Sequence, residues 1–283
     1  MTTPLLLLTN DDGVSAPGLR ALAEAVHGLG EVVVVAPDTE RSGASHSMTF
    51  HSMLRAEEVE PGRWAVSGTP VDCVYFGLLH VCERPPTIVL SGINHGYNLG
   101  TDVFYSGTLA AAAEARLRGF NGIAVSLERG VDPRWSRRCV RGLVEAMLES
   151  PPAEPQLLNI NVAHRPEHER AAPEQIDAWS REQEVAITRL GRRSYVDSVD
   201  CRTDPLGRPY YWIGGPPGVL RGRPGDDTWA VGQGMASVTP LRMDLSDPDP
   251  SAAQALLERA TGLRRVDPST YDADHAESSD QER

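Results

Sequence analysis

Apolar residues follow two rhythms along this chain. Short runs that are apolar at nearly every position occur at Leu5–Leu8, Val32–Val35, Trp64–Ser67, Thr87–Leu90, Ile123–Val125 and Leu157–Val162. Between them lie stretches with apolar residues three and four apart. One holds Leu19, Leu22, Ala23, Val26 and Leu29, with Pro17 suited to a first helical turn and Gly28 and Gly30 to its stop. A second opens at Thr69-Pro70-Val71-Asp72, a capped helix start, and carries Val71, Val74, Tyr75 and Leu78 on one face. A third, alanine-rich, spans Thr108–Arg118 and closes at Gly119; a fourth spans Arg137–Met147. Continuous apolar strands alternating with amphipathic helices predict an α/β fold, a mostly parallel sheet with helices on both faces.

Such sheets bind ligands beyond the carboxyl ends of their strands. Three polar clusters follow predicted strands: Asn10-Asp11-Asp12-Gly13, Asp38–Ser45 and Ser91–Thr108. All three are therefore expected at one edge of the sheet. The second half is less regular, rich in Pro, Gly, Arg and Asp from about Pro166 to Gly234. Glu184–Arg189 and Pro209–Ile213 suit strands of a hairpin or extension, Ser237–Leu241 a further strand, and Ser251–Thr261 a helix. The polar, acidic end of the chain is expected to be disordered.

Asp11 and Asp12 are adjacent, so on a regular strand they would point to opposite faces. A turn at Gly13 would let both reach one ion, and hard oxygen ligands suit Mg²⁺ or Mn²⁺. A turn with one aspartate capping the next helix accounts for the same residues. Ser42 lies in a small polar loop that suits either an anion or solvent. The Gly- and Asn-rich run Ser91–Gly100 is long for a compact α/β chain, and such loops commonly carry function. In it Asn94 has an amide oxygen for a metal and Asn98 an amide donor for phosphate. Ser106, Gly107 and Thr108 open a helix, where free N–H groups favour anions; capping explains Ser106 and Thr108 equally, and both roles are compatible. His46 and His95 stand near these loops as candidates for proton transfer or as solvated side chains, and Arg41 as a phosphate partner or an exposed arginine.

Composition narrows the chemistry. The chain has 283 residues, a net charge of −12 and no lysine. The acidity argues against nucleic acid as partner. Without lysine there is no Walker-A loop, kinase ATP lysine or Schiff base. Four cysteines without a C-x-x-C pair give neither a zinc nor a redox motif and suit a reducing, cytoplasmic compartment. The Leu5–Leu8 run is too short for a signal peptide or membrane span.

Together these segments resemble the SurE family, the stationary-phase survival proteins that act as 5′-nucleotidases. The resemblance rests on Leu-Thr-Asn-Asp-Asp-Gly-Val (8–14), Ala-Pro-Gly (16–18), Val-Ala-Pro-Asp (35–38), Arg-Ser-Gly-Ala-Ser (41–45), Gly-Thr-Pro-Val-Asp-Cys-Val (68–74), Ser-Gly-Ile-Asn-His-Gly (91–96), Asn-Leu-Gly (98–100) and Tyr-Ser-Gly-Thr (105–108). Leu-Asn-Ile-Asn-Val (158–162), Tyr-Tyr-Trp-Ile-Gly (210–214) and Ser-Val-Thr-Pro-Leu (237–241) match more loosely. It implies a Rossmann-like catalytic core over residues 1–165 and a smaller C-terminal part over 166–265 with a hairpin or extension for oligomerisation. The acidic tail is then 266–283. It also implies a homodimer or homotetramer and one Mg²⁺ or Mn²⁺ per subunit, held by Asp11, Asp12, Ser42 and Asn94. Phosphate contacts are implied at Asn98, Ser106, Gly107 and Thr108. Ser15, His46 and Thr101 depart from the family's usual histidine, asparagine and acidic residue.

The expected reaction is hydrolysis of nucleoside 5′- and 3′-monophosphates, and of short polyphosphate, by a metal-oriented water, with Asp11 or Asp12 as proton acceptor. Aspartyl-phosphate phosphatases use D-x-D after the first strand and commonly a downstream lysine; here the aspartates after the first strand are adjacent and lysine is absent. The alternative is a non-catalytic nucleotide-binding or sensing module, disfavoured because a bare carboxylate pair repels phosphate and because G-x-G-x-x-G is missing after the first strand.

Overall fold

The computed structural model describes residues 3–163, 175, 183–193, 198–214 and 222–259. Its strands are β1 (Leu5–Thr9), β2 (Glu31–Pro37), β3 (Ala56–Glu60), β4 (Arg63–Val66), β5 (Ile88–His95), β6 (Asn121–Leu127), β7 (Leu157–Val162), β8 (Val185–Ile187), β9 (Ser198–Thr203), β10 (Pro209–Gly214) and β11 (Ala236–Pro240). Its helices are α1 (Pro17–Ala25), α2 (Pro70–Phe76), α3 (Gly107–Leu117), α4 (Arg137–Glu149), α5 (Asp227–Gly232) and α6 (Ser251–Arg259).

The main sheet runs β3-β4-β2-β1-β5-β6-β7-β11-β8. From β4 to β7 every pairing is parallel. The chain winds outward from β1 to β2, then returns to place β5 on the other side of β1. This reversal opens the crevice in which α/β sheets bind ligands.

Alternation along β1 explains the two helical layers. Leu6 and Leu8 face Leu19, Leu22 and Ala25 of α1 and Val140 and Val144 of α4. Leu5 and Leu7 face Cys73 and Val74 of α2 and Ala111 and Ala115 of α3. Each strand residue is thus buried whichever way it points, as a continuous apolar run requires. The expected start of α2 forms a capping box. The Thr69 side chain accepts from the Asp72 N–H (3.1 Å), and Asp72 Oδ2 accepts from the Thr69 N–H (2.8 Å).

Several elements differ from the sequence expectation. The strand expected to end at Leu90 continues to His95. Its pairing with β6 shifts register between Ser91 and Asn94, then resumes with Asn94 opposite Ser126 and His95 opposite Leu127. The Gly-rich composition hides this, because polar residues at a strand's end read as loop. Two strands carry no sequence signal because they bury nothing: β3 is an exposed edge strand carrying Glu57, Glu58 and Glu60, and β9 is exposed throughout. β9 and β10 form a separate antiparallel hairpin.

Nor does the sheet stop at residue 165. β11 pairs antiparallel with β7, and β8 joins β11, so one compact unit spans Met1–Met243. The short apolar strands of the C-terminal part need a sheet to lie on, and the exposed side of β7 supplies it. The second unit, Asp244–Arg283, contains α6. The expected tail, 266–283, lies outside the described residues. The four cysteines are free, and no helix among the described residues is long and apolar enough to cross a membrane.

Candidate active site

The chain turns immediately after β1. Asn10 is buried, and its side chain grips Gly13 from both sides: Nδ2 donates to the Gly13 carbonyl (2.9 Å) and Oδ1 accepts from the Gly13 N–H (3.2 Å). Gly13 has φ +102°, a conformation open chiefly to glycine. With the backbone bent there, Asp11 and Asp12 both line one cleft of about 1570 Å³ instead of opposite faces of the sheet.

Each candidate ligand is anchored through one atom. Asp11 Oδ1 accepts the Thr108 hydroxyl (2.6 Å), Asp12 Oδ2 accepts the His95 N–H (3.3 Å), and Asn94 Nδ2 donates to the Gly96 carbonyl (2.7 Å). One oxygen of each side chain stays outside these hydrogen bonds. Ser42 Oγ donates to Glu40 Oε1 (2.8 Å) and lines the same cleft, and the Arg41 N–H donates to the Asp11 carbonyl (2.7 Å), tying that loop to β1. The donor set is two carboxylates, an amide and a hydroxyl, all hard oxygens suited to Mg²⁺ or Mn²⁺.

The electrostatics favour a cation here. The Asp11 carboxyl is pushed from 3.8 up to about 6, chiefly by burial, with the Thr108 hydroxyl opposing the rise and the neighbouring Asp12 adding to it. Asp12 is likewise raised, chiefly by burial. Two desolvated carboxylates side by side are unfavourable unless a positive charge joins them. The residues present therefore fit a divalent ion.

The N-terminus of α3 closes the other side. Ser106 caps the helix, accepting from the Leu109 N–H (3.0 Å), and also lines the cleft. Gly107 packs directly on the first aspartate: a Cβ there would lie 3.0 Å from Asp11 Cβ and 3.1 Å from Oδ2. The helix start, with its positive dipole end, thus sits beside the carboxylate pair, and the Thr108 backbone N–H donates to Asp11.

A family profile for Survival protein SurE matches residues 6–197. The chain belongs to the SurE family. A 5′-nucleotidase SurE of Pelobacter propionicus is 44% identical over 246 residues, covering 86% of this chain and 94% of the relative. One of Vibrio cholerae is 43% identical over 242 residues, covering 85% and 92%. The crystal structure of SurE protein from Aquifex aeolicus superposes with a TM-score of 0.74 at 37% identity, covering 90% of this chain and all of that one.

Within this SurE chain the remaining candidates part ways. Asn98 lines the cleft but also braces it: Nδ2 donates to Ser126 Oγ (2.8 Å), and its backbone is held by Asn159 and Asn161 of β7. His46 pairs with Glu114 (3.1 Å) and Arg41 with Asp38 (3.3 Å), and neither lines the cleft. His95 does line it. Its Nε2 accepts the Gly130 N–H (2.7 Å), which leaves the ring proton on Nδ1. Ser15 and Thr101 are exposed.

Three supports were not singled out from the sequence. Asn159 and Asn161 alternate along β7, a signal that was available because i and i+2 share a face. Arg193 Nη1 donates to Asp102 Oδ2 (2.6 Å), a mostly buried pair. Asp227, fully buried, accepts the N–H groups of Gly100 (2.8 Å), Gly191 (2.8 Å) and Thr228 (2.7 Å). Nothing local marks these last two, whose partners lie far away in sequence.

Proposed function

We propose that this chain is a 5′-nucleotidase, a phosphoric monoester hydrolase that cleaves nucleoside 5′-monophosphates to nucleoside and phosphate using one Mg²⁺ or Mn²⁺ per subunit. The observation carrying this reading is the pairing of buried Asp11 with half-buried Asp12 at the sheet's reversal point, facing oxygen donors on one side and a helix N-terminus on the other. Asp11, Asp12, Asn94 and Ser42 would hold the ion, which supplies Lewis-acid stabilisation of the phosphoryl group and orients the attacking water. The N–H groups at Gly107 and Thr108 and the Asn98 amide orient the phosphate. Phosphoryl transfer asks mainly for positioning and charge neutralisation, so these groups suffice without a covalent intermediate. A carboxylate of the pair would accept the water's proton as the water oxygen bonds to phosphorus; the bond from phosphorus to the ester oxygen breaks, and that oxygen takes a proton from solvent and leaves with the nucleoside.

The same site would accept 3′-monophosphates and short polyphosphate, since it grips phosphate and metal rather than a base. We assign the β9–β10 hairpin as the arm that joins subunits into a dimer or tetramer; its exposed Tyr210, Tyr211, Trp212 and Ile213 support this reading.

A phosphate-release panel tests the assignment with nucleoside 5′- and 3′-monophosphates, polyphosphate and an aryl phosphate, each with Mn²⁺ and Mg²⁺. Release from the 5′-nucleotides is expected. Nucleotide binding by calorimetry without turnover in any of these metals would support the sensing module instead.

Thr108→Val removes the hydroxyl that lowers the Asp11 pKa while keeping a β-branched side chain in place. Asp11 then holds its proton to higher pH. The acid limb of the kcat/KM profile is expected to move upward, with losses of roughly tenfold near pH 6 and smaller ones near pH 9. An unshifted limb would show that Asp11 does not govern it.

A further inference from the structure

Three arginines line the cleft: Arg20, Arg129 and Arg134. Arg134 is committed, its Nε donating to both oxygens of Asp132 (3.0 Å each). The side chains of Arg20 and Arg129 make no ion pair or hydrogen bond among the described residues. They differ in how they are held. Arg20 rides on α1 and has no link to the candidate ligands. Arg129 lies just past β6, on a loop stitched to the end of β5. The Gly96 N–H donates to the Leu127 carbonyl (2.8 Å), the Gly130 N–H to His95 Nε2 (2.7 Å), and the Tyr97 hydroxyl to Glu128 Oε2 (3.4 Å). His95 in turn follows Asn94 and gives its N–H to Asp12 (3.3 Å). The loop bearing Arg129 is therefore one hydrogen bond removed from the ligand set, and the positive charge of Arg129 is felt at Asp12.

In a chain of net charge −12, a guanidinium that lines the same cleft as Asp11 and Asp12 and has no ion pair among the described residues needs a reason. Ion pairing with Glu128, its neighbour in sequence, would be the simple outcome, yet Glu128 is engaged by Tyr97. A phosphate bound at the metal carries charge beyond what the ion and the α3 N–H groups neutralise. The planar fork of arginine matches phosphate oxygens.

Resting on the hydrolase reading, we propose that Arg129 is a substrate-binding residue that grips the phosphate from the β6 side, opposite the start of α3. The grip is to the phosphate, so it serves every phosphomonoester alike and also retains the product phosphate.

The test compares wild type, Arg129→Gln and Arg129→Lys, all loaded with Mn²⁺. KM is measured for adenosine 5′-monophosphate and 4-nitrophenyl phosphate, and the dissociation constant of inorganic phosphate by calorimetry. For Arg129→Gln all three are expected to rise in parallel, by roughly tenfold or more, with kcat changed less than about threefold. Arg129→Lys should recover part of the loss. Because the side chain is exposed, the melting temperature should not move. Unchanged constants, or a rise confined to the nucleotide, would overturn the proposal, the second pointing to a base contact. If wild type released no phosphate from any ester, the hydrolase reading would fail. The phosphate calorimetry would still decide the Arg129 contact.

Discussion

Asp11→Asn is expected to abolish metal-dependent phosphate release and, at the same time, to make the metal-free protein more stable. The loss follows from removing a carboxylate ligand. Charge stabilisation of the transferring group is worth several kcal/mol, so the rate should fall by roughly a thousandfold or more. The gain follows from the cost of burying the charge. The Asp11 carboxyl has a folded-state pKa of about 6 against 3.8 when unperturbed. Above pH 6 it is ionised in both states, and the fold bears a penalty on the order of 3 kcal/mol. As pH falls through 6 the folded chain takes up the proton before the unfolded one does. The penalty is relieved progressively and is gone below about 3.8. Asparagine keeps an oxygen for the Thr108 hydroxyl and has no charge to bury. Thermal melts at pH 8 in EDTA should therefore place Asp11→Asn above wild type, and Mn²⁺ should raise the wild-type melt but not the variant's. A variant that melts below wild type in EDTA would show that the carboxylate is stabilised by something other than a cation.

Asp227→Ala has the largest expected effect on the fold. The carboxylate is fully buried and accepts three backbone N–H groups, from Gly100, Gly191 and Thr228. Truncation leaves those donors without partners, at a cost of roughly 3 kcal/mol or more. The damage should reach the active site, because Gly100 closes the loop that carries Asn98, and the Asp102–Arg193 pair spans the same two segments. Urea unfolding should show the lost stability. Activity measured where the variant is still folded should show a further fall in kcat/KM. A loss under about 1 kcal/mol would mean that water replaces the carboxylate at all three donors.

What the sequence makes legible here is whatever depends on neighbours along the chain. The parallel core announces itself because Leu5–Leu8 and Val32–Val35 must be buried on both sides. The Asp11–Asp12 turn is legible through Gly13, and the capped start of α2 through Thr69 and Asp72. The eight candidate site residues gather at the sheet edge that the strand order dictates: six line the cleft, while Gly107 and Thr108 abut Asp11. Illegible are the features that exposure or distance hides. Edge strand β3 and strand β9 lack a buried face to give them a period, although β10, the other half of the hairpin, is legible in its aromatic run. Asn94 sits at a strand end behind a register shift, where glycine suggests only loop. Asp227 and Arg193 brace the active-site loop across more than ninety positions of sequence, which no local pattern reports.

The central claim is that the carboxylate pair works by holding a divalent ion. Its most direct measurement is phosphate release from adenosine 5′-monophosphate by protein stripped with EDTA, followed by stepwise addition of Mn²⁺. No release is expected in EDTA, and full recovery at about one ion per chain. Turnover that persists undiminished in excess EDTA would contradict it.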